Sequence, residues 1–170
     1  MKKIFLILIF SNFLLSELVL EITQGTEDPY RVALLPFKGD VDISSTLNKV
    51  IKNNLNRSGE FKIFDSKTLL SIPKDETEIV FNDFKILNVD YLVMGEIISE
   101  GSSISVVYEV YDINKSSKVR TSTVYGIPNK NRQLGHYVSD GIYEEITGIR
   151  GIASTKILYV TQEKTFNLVI

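Results

Sequence analysis

A change of hydrophobic period between residues 30–37 and residues 43–55 constrains the fold more than any other feature of the sequence. The first segment contains four consecutive apolar residues, 32–35, which predict a central strand covered on both faces. The second segment carries apolar residues spaced by three and four, which predict an amphipathic helix: Ile43, Leu47, Val50, Ile51 and Leu55. A covered strand followed by a helix is typical of an α/β layer arrangement.

Polar residues and glycines mark where this first helix should begin and end. Asp42 or Ser44 is placed to cap its first amide groups. The helix should end at Ser58 and Gly59, because glycine tolerates the left-handed conformation that closes many helices.

The same alternation of elements continues along the chain. Apolar runs predict strands at residues 61–64 and 91–98, with a helical turn at 66–70 and a helix at 79–87 between them. Residues 104–111 and 119–127 alternate around polar residues 114–117 and predict a hairpin. A third helix, closed by Gly148 and Gly151, is predicted from residues at helical spacing: Leu134, Val138, Ile142, Ile146 and Ile149.

Together these elements predict an α/β fold with a mixed β-sheet and about three packed helices. A further hairpin candidate follows at residues 157–170.

The amino terminus has the pattern of an export signal. Lys2 and Lys3 precede an apolar run over residues 4–15 that is shorter than the roughly 20 residues of a membrane-spanning helix. We expect residues 1–16 to be a cleaved signal peptide and the mature chain to be exported without a membrane span. A retained anchor is the alternative.

Composition and charge exclude several classes of function. The chain has 170 residues, a net charge of −2 and scattered Lys and Arg residues, so no basic stripe for nucleic acid is present. Because Cys is absent, disulfides and thiolate chemistry are excluded. The glycines form no phosphate-binding loop, so we expect no nucleotide cofactor.

No catalytic arrangement can be named either. His136 is the only histidine, and near the start of a helix it is interpreted as a packing or hydrogen-bonding residue. The neighbouring carboxylates Glu144 and Glu145 point in different directions and are interpreted as solvated surface. We therefore expect no metal site and no enzyme activity, with a hydrolase of unrecognised type as the remaining alternative.

A resemblance to a known family rests on several motifs in the right order. Residues 139–151 read S-D-G-I-Y-E-E-I-T-G-I-R-G, and residues 155–160 read T-K-I-L-Y-V. Supporting motifs are residues 32–37, the N-R-S-G-E-F of residues 56–61 and the strand of residues 90–95. This chain resembles the amino-terminal half of the TolB family, with Asn88 where a glycine is usual, Ala153 where a phenylalanine is usual and Lys156 where an arginine is usual.

The resemblance implies a domain organisation. Residues 24–155 would be the TolB amino-terminal α/β domain, and residues 156–170 would be the start of a β-propeller that is incomplete here. Residues 17–23 would be an arm that binds the periplasmic domain of TolA: Glu17, Leu18, Val19, Leu20, Glu21, Ile22 and Thr23.

The arm alternates Leu18, Leu20 and Ile22 with their neighbours, which suits β-augmentation, in which an extended segment joins a partner's sheet. Pairing of the arm with its own domain is equally compatible with this pattern.

By the same resemblance, the chain would be a periplasmic scaffold of the Tol-Pal system. Such a scaffold supports outer-membrane integrity, invagination during division and protein import. Pal would bind only if a propeller is present. The alternative is a stand-alone periplasmic binding domain outside this complex.

Overall fold

The computed structural model of the chain describes residues 28–64 and 66–156, together with the backbone of residues 159–162 and 166–169. The predicted signal peptide (residues 1–16) and the predicted arm (residues 17–23) lie outside the described residues. The helices are α1 (Val41–Arg57), α2 (Phe81–Ile86) and α3 (Asn131–Thr147). The strands are β1 (Tyr30–Leu34), β2 (Phe61–Phe64), β3 (Tyr91–Glu100), β4 (Ser103–Asp112), β5 (Ser117–Gly126), β6 (Tyr159–Gln162) and β7 (Phe166–Val169).

Strands β1 to β5 form one mixed sheet in the order β2-β1-β3-β4-β5. Strand β1 pairs in parallel with both β2 and β3, because a helical crossover returns the chain to the same end each time. Strands β3, β4 and β5 form an antiparallel meander. The predicted α/β class, mixed sheet and three helices are confirmed.

Each face of the sheet has its own apolar core. Helices α1 and α3 cover one face, where Val32 and Leu34 meet Leu47, Ile51 and the apolar side of α3. Helix α2 and its flanking loops cover the other face, where Ala33 and Leu35 meet Phe84. Residues 32–35 are each at most 7% exposed, so the run predicted to be covered on both faces is a buried strand.

The N-cap of helix α1 lies two residues before the earlier of the two predicted caps. The N-cap is Asp40, whose carboxylate accepts a hydrogen bond of 2.9 Å from the Ile43 amide. Asp42 lies within the first turn, and the Ser44 hydroxyl instead donates to the Phe37 carbonyl at 2.7 Å. The predicted end is confirmed, since Ser58 is the C-cap and Gly59 has a φ of +80°.

Helix α2 is shorter than predicted, at six residues. The predicted range 79–87 includes Val80 and Leu87, but Val80 is the N-cap and 51% exposed, and Leu87 is the C-cap. Asn88, which stands where the TolB family usually has glycine, has a φ of +54°. Asparagine is among the residues that tolerate this left-handed conformation best, so the turn into β3 is preserved.

Helix α3 ends at Thr147, and Gly148 closes it with a φ of +73°. Ile149 was predicted to belong to its apolar face, yet Ile149 follows the cap and is 63% exposed. The left-handed cap turns the chain away from the helix axis, so the helical spacing no longer holds beyond it.

Two glycines let α3 approach its neighbours closely. A methyl group at Gly135 would come within 3.0 Å of Val50, so this glycine sets the spacing between α1 and α3. A methyl group at Gly141 would overlap the hydroxyl oxygen of Tyr108, which lies beneath the helix. Tyr108 is only 2% exposed and donates to Glu145 at 3.2 Å.

Strands β6 and β7 form a separate two-stranded antiparallel sheet with Tyr159 opposite Val169. The predicted hairpin at the end of the sequence is therefore confirmed.

Gly141→Ala should lower the free energy of unfolding by about 1–3 kcal/mol, because the new methyl group has no space beside Tyr108. The Tyr108→Phe variant lacks this hydroxyl. In that variant, Gly141→Ala should therefore lower the free energy of unfolding by clearly less. Urea unfolding of the four proteins measures this coupling. Equal costs in the two backgrounds would contradict the packing argument.

Candidate functional site

The predicted arm joins the described domain at the start of β1, and this junction is the candidate functional site. The Tyr30 amide donates to the Glu60 carbonyl at 2.9 Å, which begins the pairing of β1 with β2. The Tyr30 ring lies 5.8 Å from the Phe61 ring and 5.8 Å from the Tyr91 ring, measured between centroids. The chain is therefore fixed to the sheet within a few residues of the arm.

An ion pair at the next residue strengthens this anchor. The Asp90 carboxylate accepts hydrogen bonds from the Arg31 backbone amide at 2.9 Å and from its Nε and Nη2 atoms at 3.0 and 3.1 Å. The Asp90 amide donates back to the Arg31 carbonyl at 2.7 Å. Burial alone would raise the pKa of Asp90, but the hydrogen bonds and charge of Arg31 outweigh it and hold that pKa below its ordinary value.

The chain leaves the domain at the same end at which it enters. The Phe61 ring, which packs on Tyr30, also lies 5.4 Å from the ring of Tyr143 near the end of α3. Tyr30, Phe61, Tyr91 and Tyr143 therefore form one aromatic cluster between the start of β1 and the end of α3. Phe61 therefore contacts both the start of β1, where the described domain begins, and the last turns of α3.

Asp140 fixes the exit. Its carboxylate accepts hydrogen bonds from the Ala153 amide at 2.5 Å and from the Ser154 amide at 2.9 Å. Gly151 packs directly against Asp140, and a methyl group there would overlap the Asp140 backbone. Asp140 of the S-D motif therefore contacts Gly151, the second glycine of residues 148–151. This contact holds the chain that leads to β6.

A cleft of about 580 Å³ lies at the opposite end of the parallel strands, between the β1–α1 loop and α1. Its wall combines apolar Phe37 and Ile63 with the ammonium groups of Lys38 and Lys49.

His136 is a helix-contact residue, as the sequence predicted. Its Nδ1 atom lies 2.9 Å from Nδ2 of Asn54 on α1, and the same amide group donates to the Ser139 hydroxyl at 2.9 Å. Because Asn54 Nδ2 carries only hydrogens, Nδ1 of His136 must be unprotonated to accept. Burial, and then the charge of Arg132, lower the pKa of His136, while Asp140 opposes this with a smaller effect.

Glu145 corrects a sequence interpretation. Glu144 is exposed, as expected, but Glu145 is half-buried and accepts hydrogen bonds from the Tyr108 hydroxyl and, at 2.5 Å, from the Ser122 hydroxyl. Burial, and then the Glu145 carboxylate, raise the pKa of Tyr108. Glu145 therefore ties α3 to strands β4 and β5.

A metal-binding cluster and a membrane-spanning helix are both absent from the described part of the chain. Within it, no group of three or more His, Asp or Glu side chains is arranged to hold a metal ion. None of the helices described there is both long and apolar enough to cross a membrane.

The order of elements and the motif contacts agree with a comparison against known families. Residues 18–119 match the profile of the TolB amino-terminal domain. This chain belongs to the TolB amino-terminal domain family.

Similar proteins support this assignment over more of the chain. A Tol-Pal system protein TolB of Alcanivorax borkumensis is 34% identical over 150 residues, which are 88% of this chain and 35% of that protein. Its counterpart from Hahella chejuensis is 35% identical over 170 residues, covering 96% of this chain and 40% of that protein.

A solved structure gives the same answer for the fold. The crystal structure of TolB from Acinetobacter baumannii superposes with a TM-score of 0.69 and 31% identity, covering 82% of this chain and 34% of that chain. This chain thus spans 34% to 40% of the length of these TolB proteins.

The sequence revealed the TolB motifs but not the contacts that their residues make. The aromatic cluster and the contact between Asp140 and Gly151 join residues that are distant in sequence or lie around a helix cap, so no periodic pattern reveals them. The arm residues themselves, Glu17 to Thr23, and the domain boundaries at residues 23 and 155 stay predictions.

Asp90→Asn should lower the free energy of unfolding by about 1–2 kcal/mol, because it weakens charge-assisted hydrogen bonds in a partly exposed ion pair. Since the pKa of Asp90 is depressed, its contribution is present above its unfolded pKa of about 4 and is lost as pH falls further. Urea unfolding from neutral to acidic pH should give a shallower acid limb for the variant. Glu144→Gln, at an exposed carboxylate, is the control and should behave like the wild type.

Acidification should also weaken the contact between α1 and α3 at His136. Because the folded pKa is lowered, the unfolded chain binds more protons, so stability should fall as pH drops below about 6.5. His136→Gln, whose side-chain oxygen still offers an acceptor to Asn54, should remove this part of the pH dependence. If the wild type and His136→Gln showed the same change in stability between neutral pH and a pH of about 5.5, His136 would not be responsible for that change.

Proposed function

We propose that this chain is a periplasmic component of the Tol-Pal system that binds the periplasmic domain of TolA through residues 17–23. The observation that carries the proposal is the family match, which begins at residue 18 and so includes nearly the whole predicted arm. The chain serves as a protein-protein interaction scaffold for outer-membrane integrity, outer-membrane invagination during division and protein import.

Binding by the arm is β-augmentation. Backbone groups of residues 17–23 add a strand to the edge of the partner's sheet, and alternate side chains fill pockets on one side of it. Leu18, Leu20 and Ile22 share one side of an extended segment, so they form the apolar face of the added strand.

The anchor at the start of β1 supports this mechanism. Because Tyr30 and Arg31 are held to Phe61 and Asp90, the chain that follows the arm is attached to the sheet from residue 30 onward. The aromatic cluster also lies beside the end of α3, from which the chain continues towards β6. Binding at the arm and binding to downstream parts of a TolB protein would thus meet at one end of this domain. Pal is bound only where a propeller is present.

Scaffolding is proposed in place of catalysis because two of the groups considered for catalysis, His136 and Glu145, have packing roles. His136 accepts from Asn54, and Glu145 accepts from Tyr108 and Ser122.

Deleting residues 17–23 should abolish binding to the immobilised TolA periplasmic domain, measured by surface plasmon resonance. In the full chain, substitution of Leu18, Leu20 and Ile22 by Ser should weaken binding at least about tenfold, because the apolar face is lost. Substitution of Val19 and Thr23 by Ser, on the other side of the strand, is the matched control and should have a smaller effect.

Equal affinity of the full chain and the deletion would refute binding through the arm. If neither protein bound TolA, the result would favour a binding domain outside the Tol-Pal system.

A further inference from the structure

The two edges of the sheet are protected very differently. Strand β2 has four residues, and the side-chain oxygen of Asn56 accepts from its Ile63 amide at 3.2 Å, so an outward N–H of this edge is already occupied. Strand β5 has ten residues and lies at the other end of the strand order. Within the described residues, its outer edge has no strand beside it. The pairing of β5 with β4 shifts register at Val119, and on the carboxyl side of this irregularity alternate residues of β5 can present backbone groups to a further strand.

A groove continues this edge. A cavity of about 320 Å³ lies between the carboxyl end of β5 and the first turns of α3, lined among others by Tyr125, Ile127 and Tyr137. These three side chains are 77%, 60% and 40% exposed, which is unusual for large apolar groups that lie together. A strand edge beside a helix, with apolar side chains between them, is the arrangement in which domains bind extended peptides by strand addition.

Exposed cations predominate along β5 and the first turn of α3. Lys130 lines the groove itself, whereas the carboxylates of Glu109 and Glu145 accept hydrogen bonds from Thr121 and Ser122 of β5. Residues 117–139 contain Lys118, Arg120, Lys130 and Arg132 but no Asp or Glu, in a chain whose net charge is −2. Lys118 is neutralised locally by Glu76 and Glu109, at 2.6 and 2.7 Å. The other three cations have no ion-pair partner among the residues that the structure describes.

We infer that the edge of β5 and the adjoining groove, called here the β5 groove, bind an extended, acidic strand of a partner protein. Its backbone pairs with β5, its apolar side chains contact Tyr125 and Tyr137, and its carboxylates face Arg120, Lys130 and Arg132. In this interaction the domain accepts a strand, whereas the arm of the proposed function donates one. The two sites are therefore independent of each other.

The test uses the full chain and two labelled synthetic peptides, one alternating Glu with Val and the other alternating Lys with Val. Fluorescence anisotropy should show binding of the acidic peptide and not of the basic one, weakened by added salt. Hydrogen exchange followed by NMR should show new protection of outward β5 amides and no change in β2. Absence of protection in β5 would refute strand addition.

Matched charge-reversal variants locate the site. The triple variant Arg120→Glu/Lys130→Glu/Arg132→Glu should bind the acidic peptide at least about tenfold more weakly. Lys49→Glu/Arg57→Glu/Lys62→Glu makes the same change in net charge at exposed positions on α1 and β2, and should have little effect. Equal weakening by both sets would mean unspecific attraction and would overturn the inference.

Tyr125→Ser, at a highly exposed side chain, gives a second test that does not alter charge or depend on a triple variant that folds. This variant should bind the acidic peptide more weakly without a lower thermal unfolding temperature. Unchanged affinity would contradict the role of the groove.

Two other occupants have distinct outcomes. Binding of the peptide only after deletion of residues 1–23 would identify a segment of this chain as the occupant. Concentration-dependent dimers with protected β5 amides, seen without peptide by sedimentation, would identify a second copy. Either result would replace the partner strand inferred here.

Discussion

Burial of β1 on both faces is the constraint on which the rest of this structure depends. Residues 32–35 leave no surface for water, so one face needs α1 and α3 and the other needs α2 with its flanking loops. A strand covered in this way takes parallel neighbours most easily, because each crossover helix lies on the sheet. Strands β2 and β3 accordingly lie on either side of β1, and the antiparallel meander extends the sheet from β3.

This topology decides where the chain enters and leaves. Helix α3 begins near the end of β5 and runs back to the end of the sheet where β1 begins, so Tyr143 reaches Phe61. The ion pair of Arg31 with Asp90 and the contact of Asp140 with residues 151–154 then hold both connections firmly. The start of β1 and the residues that follow α3 are therefore both attached to the packed domain.

Contacts and backbone conformation explain three residues within or beside the stretches that resemble the TolB family. Gly141 is small because the Tyr108 hydroxyl lies beneath it, and Gly151 is small because Asp140 does. Asn88 replaces glycine at a left-handed position that asparagine tolerates. In each case a requirement of space or backbone conformation, and not a chemical role, accounts for the residue.

The sequence by itself determined the α/β class, the order of strands and helices along the chain and the hairpins, because period and turn residues act over short distances. The TolB assignment rested on motif residues that resemble the family. The sequence misplaced the cap of α1, the length of α2, the end of α3 and the environment of Glu145. Those features depend on contacts with residues far along the chain, which local patterns do not record. Only the tertiary structure placed the aromatic cluster, the charged groove beside β5 and the guarded edge of β2, since packing alone brings their residues together.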